Sequence, residues 1–268
     1  TAVCDLPMHP KCGLSIDHHQ SNRPGSDESK AIVVWKDSPS AARIAYELFR
    51  EVIDLSDLED LLDWVDKLDS GSISHEEFLS HAPAIWLSRI VDSGEDTAAW
   101  ILEQLRAGAT IEEILADSKI SKLVAEKEEE LVNLNEVILS SMRIEDRIAI
   151  VRLDGLGIRS NGYHVTAMAG DECDACMIIH GELGADFGDS RRYPVSASFY
   201  TNSFLHRRGG IYDLTALATL FDSDGGGHAN ACGCRIKPIE GGNVVDREVS
   251  EVDIERNISE WLKMWSKR

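Results

Sequence analysis

Residues 121–142, SKLVAEKEEELVNLNEVILSSM, constrain the layout of this chain more than any other stretch. Leu123, Leu131, Leu134, Ile138 and Leu139 form an apolar stripe against a charged opposite side, which predicts one long helix with a solvated face. The pattern changes after it, from an apolar period near 3.6 to short β-rich runs: RIAIVRL, HVTAMA, CMIIHGEL and YPVSASFYT. The expected fold is therefore an α/β first part, a helical bridge and an α+β second part.

In the first part, KAIVVW (30–35) reads as a strand and SPSAARIAYELFREV (38–52) as a helix. Ser38 or Ser40 is the expected cap, with Pro39 in the first turn. DLEDLLDWVDKLDSG (57–71) places Leu58, Leu61, Leu62, Val65 and Leu68 at helical spacing and stops at Gly71. Further helices are expected at 76–92, 95–107 and 110–116. In the second part DLTALATLF (213–221) returns to helix, and DIERNISEWLKMW (253–265) closes the chain with Trp261, Leu262 and Trp265 docked on their own domain.

The chain has 268 residues, 43% of them hydrophobic, enough for two cores of ordinary size. No apolar run reaches eighteen residues, so no membrane span is expected. TAVCDLPMHP shows no export signal, and a cytoplasmic location is expected. It also has no initiator Met and reads as the end of a strand, so a processed or truncated piece of a longer protein is expected. A net charge of −20 opposes attraction to duplex nucleic acid, which needs basic surface. Short anionic substrates stay open where metal ions supply positive charge. The six cysteines read as reduced thiols. CDAC and CGC could together close a zinc tetrahedron, but Cys176 in a strand and Cys232 and Cys234 after a glycine run favour plain packed thiols.

The chemistry is concentrated at two places. VCDLPMHP puts Asp5 just after a short apolar run, and SIDHH repeats that arrangement with Asp17, His18 and His19. Open α/β sheets bind ligands beyond the C-terminal ends of their strands. Asp66 and Asp69 fall at the end of a helix, where the dipole disfavours a carboxylate without a cation or partner. Carboxylates beside imidazoles suit Mn²⁺ or a similar divalent ion. At the far end, DGGGHANACG (224–233) opens on glycines that let backbone approach a ligand, and a helix starting after them would turn N–H groups toward an anion. Taken singly, DHH is a polar turn and the glycine run a flexible loop.

Taken together and in this order, DHH and GGGHANACG resemble the DHH–DHHA1 phosphoesterases, a superfamily of RecJ-like exonucleases, nano-RNases that also dephosphorylate phosphoadenosine phosphate, and cyclic-dinucleotide phosphodiesterases. The resemblance implies a DHH domain with a parallel sheet over 1–120, truncated at its first motif, a linker helix over 121–142 and a smaller α+β DHHA1 domain over 143–268. It implies two Mn²⁺ ions, with Mg²⁺ or Co²⁺ as alternatives, held by Asp5, His18 and Asp69, with Asp66 the rival of Asp69. Asp17 and His19 take the catalytic places, Asp17 orienting the imidazoles and His19 acting as second ligand or phosphate contact. Gly226, Gly227, His228 and Asn230 match the nucleotide-binding loop. The family's Ser-Leu-Arg-Ser-like strand is SASFYTN here, without the Arg, so either Tyr200, Asn202, Arg207 or Arg208 substitutes in clamping substrate or the substrate differs.

The implied activity is metal-dependent hydrolysis of phosphate esters in short oligonucleotides or small nucleotides. A phosphomonoesterase or exopolyphosphatase-like enzyme on a non-nucleotide phosphate is the alternative among enzymes. The alternative outside them is a nucleotide- or phosphate-binding protein without chemistry, favoured by the missing first motif. No duplex DNA or membrane partner is expected, and a homodimer stays open.

Overall fold

The computed structural model describes residues 1–19, 22–24, 30–184, 193–207 and 209–268. Two compact units divide the chain, Thr1–Lys127 and Glu128–Arg268.

The first unit is built on three short parallel strands, β1 (Ala2–Cys4), β2 (Leu14–Asp17) and β3 (Ile32–Trp35), in the order β1-β2-β3. Parallel strands running side by side bring their C-terminal ends to one edge, where Asp5, His18 and Lys36 follow them. Helix α1 (Ala41–Phe49) comes next. Its cap is Ser40, which accepts from Arg43 N, while Pro39 precedes the cap instead of lying in the first turn. Helix α2 (Glu59–Asp69) ends as expected, with Ser70 as cap and Gly71 at φ 71° in the left-handed region that glycine adopts freely.

The single helix expected over 76–92 is two, α3 (His75–Leu79) and α4 (Pro83–Val91). Pro83 cannot continue a helix from its N-terminal side but suits a first turn, so the chain stops at Ser80 and restarts. The α5 (Glu95–Arg106) and α6 (Ile111–Ala116) helices follow. Leu87, Ile90, Ile101, Ile114 and Ile120 make the buried cluster that joins these helices.

The long helix is α7 (Ser118–Ser141). Ile138 of its stripe is fully buried, but Leu139, expected beside it, is 56% exposed, being turned a further 100° around the axis.

The second unit carries a six-stranded mixed sheet of β4 (Arg143–Glu145), β5 (Ile148–Arg152), β6 (Ala175–Gly181), β7 (Val195–Thr201), β8 (Gly226–His228) and β9 (Ala231–Arg235), in the order β4-β5-β6-β7-β9-β8. Only β5 and β6 pair parallel. Their connection is helix α8 (Gly162–Ala169), where HVTAMA was expected to be strand. Asn161 caps it by accepting from Tyr163 N and His164 N, and burial on nearly all sides hides the helical period from the sequence. Helix α9 (Thr215–Ala218) is shorter than expected. A small hairpin, β10 (Ile239–Glu240) and β11 (Asn243–Val244), leads to α10 (Glu251–Trp265).

Strand alternation sends Met177, Phe199 and Cys232 to one face with Trp261 and Trp265, and Cys176 and Ile178 to the other with Ile138 and Val165. Trp261 meets Phe199 edge-on at 5.1 Å between ring centres, and Trp265 Nε1 donates to Asp146 O at 2.8 Å. The terminal helix thus docks on its own unit.

Candidate metal centre

Asp5 is the first residue beyond β1 and takes φ 62°, a left-handed conformation tolerated by few residues other than Gly, Asn and Asp. Its backbone N–H donates to Ile16 O at 3.0 Å. The carboxylate is half exposed and lies 3.4 Å from His18 Nε2 and 3.6 Å from His19 Nδ1.

Asp17, the last residue of β2, is buried. Its Oδ1 accepts from His18 N at 2.7 Å, His19 N at 2.9 Å and His19 Nδ1 at 2.9 Å, and its Oδ2 accepts from Asn22 Nδ2 at 2.7 Å. Burial pushes the Asp17 pKa up, but these hydrogen bonds, led by those from His19, outweigh it and hold the carboxyl below its ordinary value. The same hydrogen bond raises the pKa of His19, aided by the charges of Asp17, Asp5 and Asp69 against the effect of burial.

His18 is held differently. Its Nδ1–H donates to Ser38 O at 3.0 Å, which in the neutral ring leaves the lone pair on Nε2. That nitrogen is buried, has no hydrogen-bond partner, and sits 3.4 Å from Asp5 Oδ1 and 3.3 Å from Asp69 Oδ2. An unsatisfied buried acceptor costs about 1–3 kcal/mol, and two carboxylates facing it add acceptors, not donors. Burial raises the pKa of Asp69; the His18 imidazole opposes this and the negative charge of Asp5 adds to it. A divalent cation would pair with that nitrogen and with both carboxylates at once. A ring nitrogen fixed from behind by a carbonyl is the usual support of a metal-ligating histidine, so the donor set fits a divalent ion.

Asp5, His18 and His19 each offer an atom within 4.8 Å of the others, the one such group of His, Cys, Asp or Glu among the described residues. Asp69 approaches through His18. Asp66 does not: its oxygens accept from Ser40 Oγ and Arg43 Nε, both at 2.6 Å. The cysteines form no such group. Burial pushes the Cys173 thiol up to about 11 and those of Cys232 and Cys234 up to about 12, so none is a ready thiolate.

The expected helix after the glycines is absent. Gly226 to His228 form β8, which pairs antiparallel with β9. A Cβ on Gly227 would lie 2.7 Å from Ala231 O and 2.9 Å from Cys232 Cα, and its φ is 136°, so glycine is required by strand pairing. Gly227, His228 and Asn230 are exposed on this hairpin. Asn230 Oδ1 accepts from Gly210 N at 2.7 Å and Thr201 Oγ1 at 3.2 Å, tying the hairpin to the loop after β7. Asn202 is fully buried, and its amide donates to Gly170 O and Cys173 O at 2.8 and 2.9 Å, so it secures that loop from inside and has no surface for substrate. Tyr200 packs under α8, Arg207 is exposed beyond β7, and Arg208 lies outside the described residues.

Three supports of the centre escaped the sequence reading: Asn22, Ser38 and Trp35, whose Nε1 donates to His19 O at 2.9 Å. Asn22 closes the stretch LSIDHHQSN and could have been found as a short amide beside an acid. Ser38 acts through its carbonyl, which no residue type announces.

No protein-family model matches the sequence, and no curated protein matches it either. Solved structures do. The DHH domain of a member of the S1p family of ribosomal proteins superposes with a TM-score of 0.51 at 13% identity, over 94% of this chain and 63% of that one. The chain thus has the DHH fold, an α/β domain with a parallel sheet followed by further structure. More particularly, it is similar to PggH, a pGpG-specific phosphodiesterase from Vibrio cholerae, with a TM-score of 0.71 and 19% identity over 98% of this chain and 82% of that one.

Proposed function

We propose that this chain is a divalent-metal-dependent phosphoesterase acting on short oligonucleotides or small nucleotides. The observation that carries the reading is His18 Nε2, buried without a hydrogen-bond partner and flanked by the carboxylates of Asp5 and Asp69. Its similarity to a pGpG-specific phosphodiesterase supports a short nucleotide as substrate.

Asp5, His18 and Asp69 would hold the ion, with Mn²⁺ the expected metal. A bound divalent ion supplies positive charge at the phosphoryl oxygens and acidifies water. The protein's own part is positioning and charge. Ser38 O keeps the His18 lone pair directed at the ion site, and Asp17 holds the His19 ring through Nδ1. His19, with a raised pKa, is suited to contact a phosphate oxygen as a donor. Gly226, Gly227, His228 and Arg207 are the proposed substrate contacts of the second unit, joined by Asn230 as the residue that holds the hairpin in place.

The test is Mn²⁺-dependent hydrolysis of a panel holding pGpG, longer oligonucleotides, phosphoadenosine phosphate and polyphosphate. Cleavage of the short nucleotides, lost in His18→Ala, is the expected result. Preference for polyphosphate would transfer the reading to a non-nucleotide phosphatase, and tight binding without turnover would make the chain a binding protein.

A further inference from the structure

We infer that the corner between β3 and α1, residues 38–43, is the positioning bracket of the metal centre, with Arg43 and Asp66 acting through Asp69. The inference rests on the reading of that centre given above. One end of the corner grips His18, whose Nδ1–H donates to Ser38 O. Two residues later, Ser40 Oγ donates to Asp66 Oδ1 at 2.6 Å while still accepting from Arg43 N as the cap of α1. Arg43 Nε donates to Asp66 Oδ2 at 2.6 Å and its Nη2 reaches Asp63 Oδ1 at 2.7 Å.

Asp63, Asp66 and Asp69 succeed one another at three-residue steps along α2 and so share one side of the helix. Arg43 takes the first two acids, and the third is left to meet His18 Nε2 at 3.3 Å. A single six-residue segment therefore holds both the imidazole and the helix that brings the carboxylate to it. The Arg43–Asp66 pair is not a solvated surface bridge, since the Asp66 side chain is only 14% exposed. The neutralisation also matters: without Arg43, the Asp66 carboxylate would stand uncompensated one helical turn from Asp69.

A plain helix-packing role for Arg43 predicts lost stability alone, whereas a bracket predicts coupling to Asp69. Mn²⁺ affinity is to be measured by calorimetric titration for the unaltered chain, Arg43→Met, Asp69→Ala and the double variant. Lys36→Met, which removes the exposed Lys36–Glu47 pair just outside that corner, is the control. Arg43→Met is expected to weaken Mn²⁺ binding about 10- to 100-fold, the usual effect of removing support behind a ligand, and Lys36→Met to leave it unchanged. In the Asp69→Ala background the Arg43 change should add less than about twofold, as coupled sites do. Unchanged affinity in a folded Arg43→Met, or equal weakening with and without Asp69, would overturn the bracket. Should Arg43→Met not fold, Ser40→Gly removes the hydroxyl donated to Asp66 at small cost to the cap, and the same two outcomes decide. Failure of the unaltered chain to bind Mn²⁺ would instead remove the metal centre itself.

Discussion

Asp17 accepts four hydrogen bonds through two oxygens, three of them on Oδ1. Its work is to set two backbone N–H groups and one ring. Asp17→Asn keeps the shape but turns one acceptor into a donor facing donors. We expect about 2 kcal/mol of lost stability and Mn²⁺ affinity about 10- to 100-fold lower, measurable by denaturant melts and calorimetry; affinity equal to that of the unaltered chain would contradict this role. The grip of Asp17 on His19 was legible because the two are neighbours in sequence as well as in space, whereas His18 meets Ser38, Asp5 and Asp69 from distant parts of the chain. Asp69 over Asp66 was not, because the choice depends on Arg43, 23 residues away from Asp66.

Helix α10 owes its N-terminal anchoring to Asp253, fully buried, whose carboxylate accepts from Arg247 Nη1 and Nη2 at 2.6 and 2.8 Å and from Ser250 N at 2.9 Å. The Arg247 guanidinium, helped by Ser250 and opposed by burial, holds this carboxyl far below its ordinary value. A depressed pKa contributes stability above the unfolded value of about 4. That contribution fades as the pH falls below about 4 toward the folded value. Acid melts of the intact chain should therefore lose stability over that interval, and Asp253→Asn should flatten the slope; parallel curves for the two would refute the assignment. At α8, a methyl on Gly162 would collide with Tyr200 Cβ and Cγ. Gly162→Ala is expected to cost about 1–3 kcal/mol despite alanine's better helix propensity, read as a lower melting temperature. This packing also explains why HVTAMA misled: a helix buried nearly all round shows no period, and its start is set by Asn161 and Gly162. GGGH misled for a related reason, since glycines that let a strand pair closely look in sequence like glycines that free a loop.

For the whole molecule, a net charge of −20 repels the anionic substrates proposed for it until ions screen the field. Raising salt from 0.01 to 0.1 M shortens the screening length from about 30 to about 10 Å. The Michaelis constant for a short nucleotide should fall over that range with turnover little changed, whereas a basic nuclease would show the opposite trend. The change of period around the long helix made an α/β part and an α+β part legible. The mixed order of the six-stranded sheet was not, because it is fixed by pairings between residues far apart, such as Phe199 with Cys232. Among the described residues no helix is long and apolar enough to cross a membrane. Asp5, His18 and Asp69 are proposed together to hold a divalent cation. An anomalous difference map from crystals of the chain soaked in Mn²⁺ tests this directly. A peak is expected at bonding distance from His18 Nε2 and from the Asp5 and Asp69 carboxylates; a map with no peak there, or with Mn²⁺ bound only elsewhere, would refute the proposed centre.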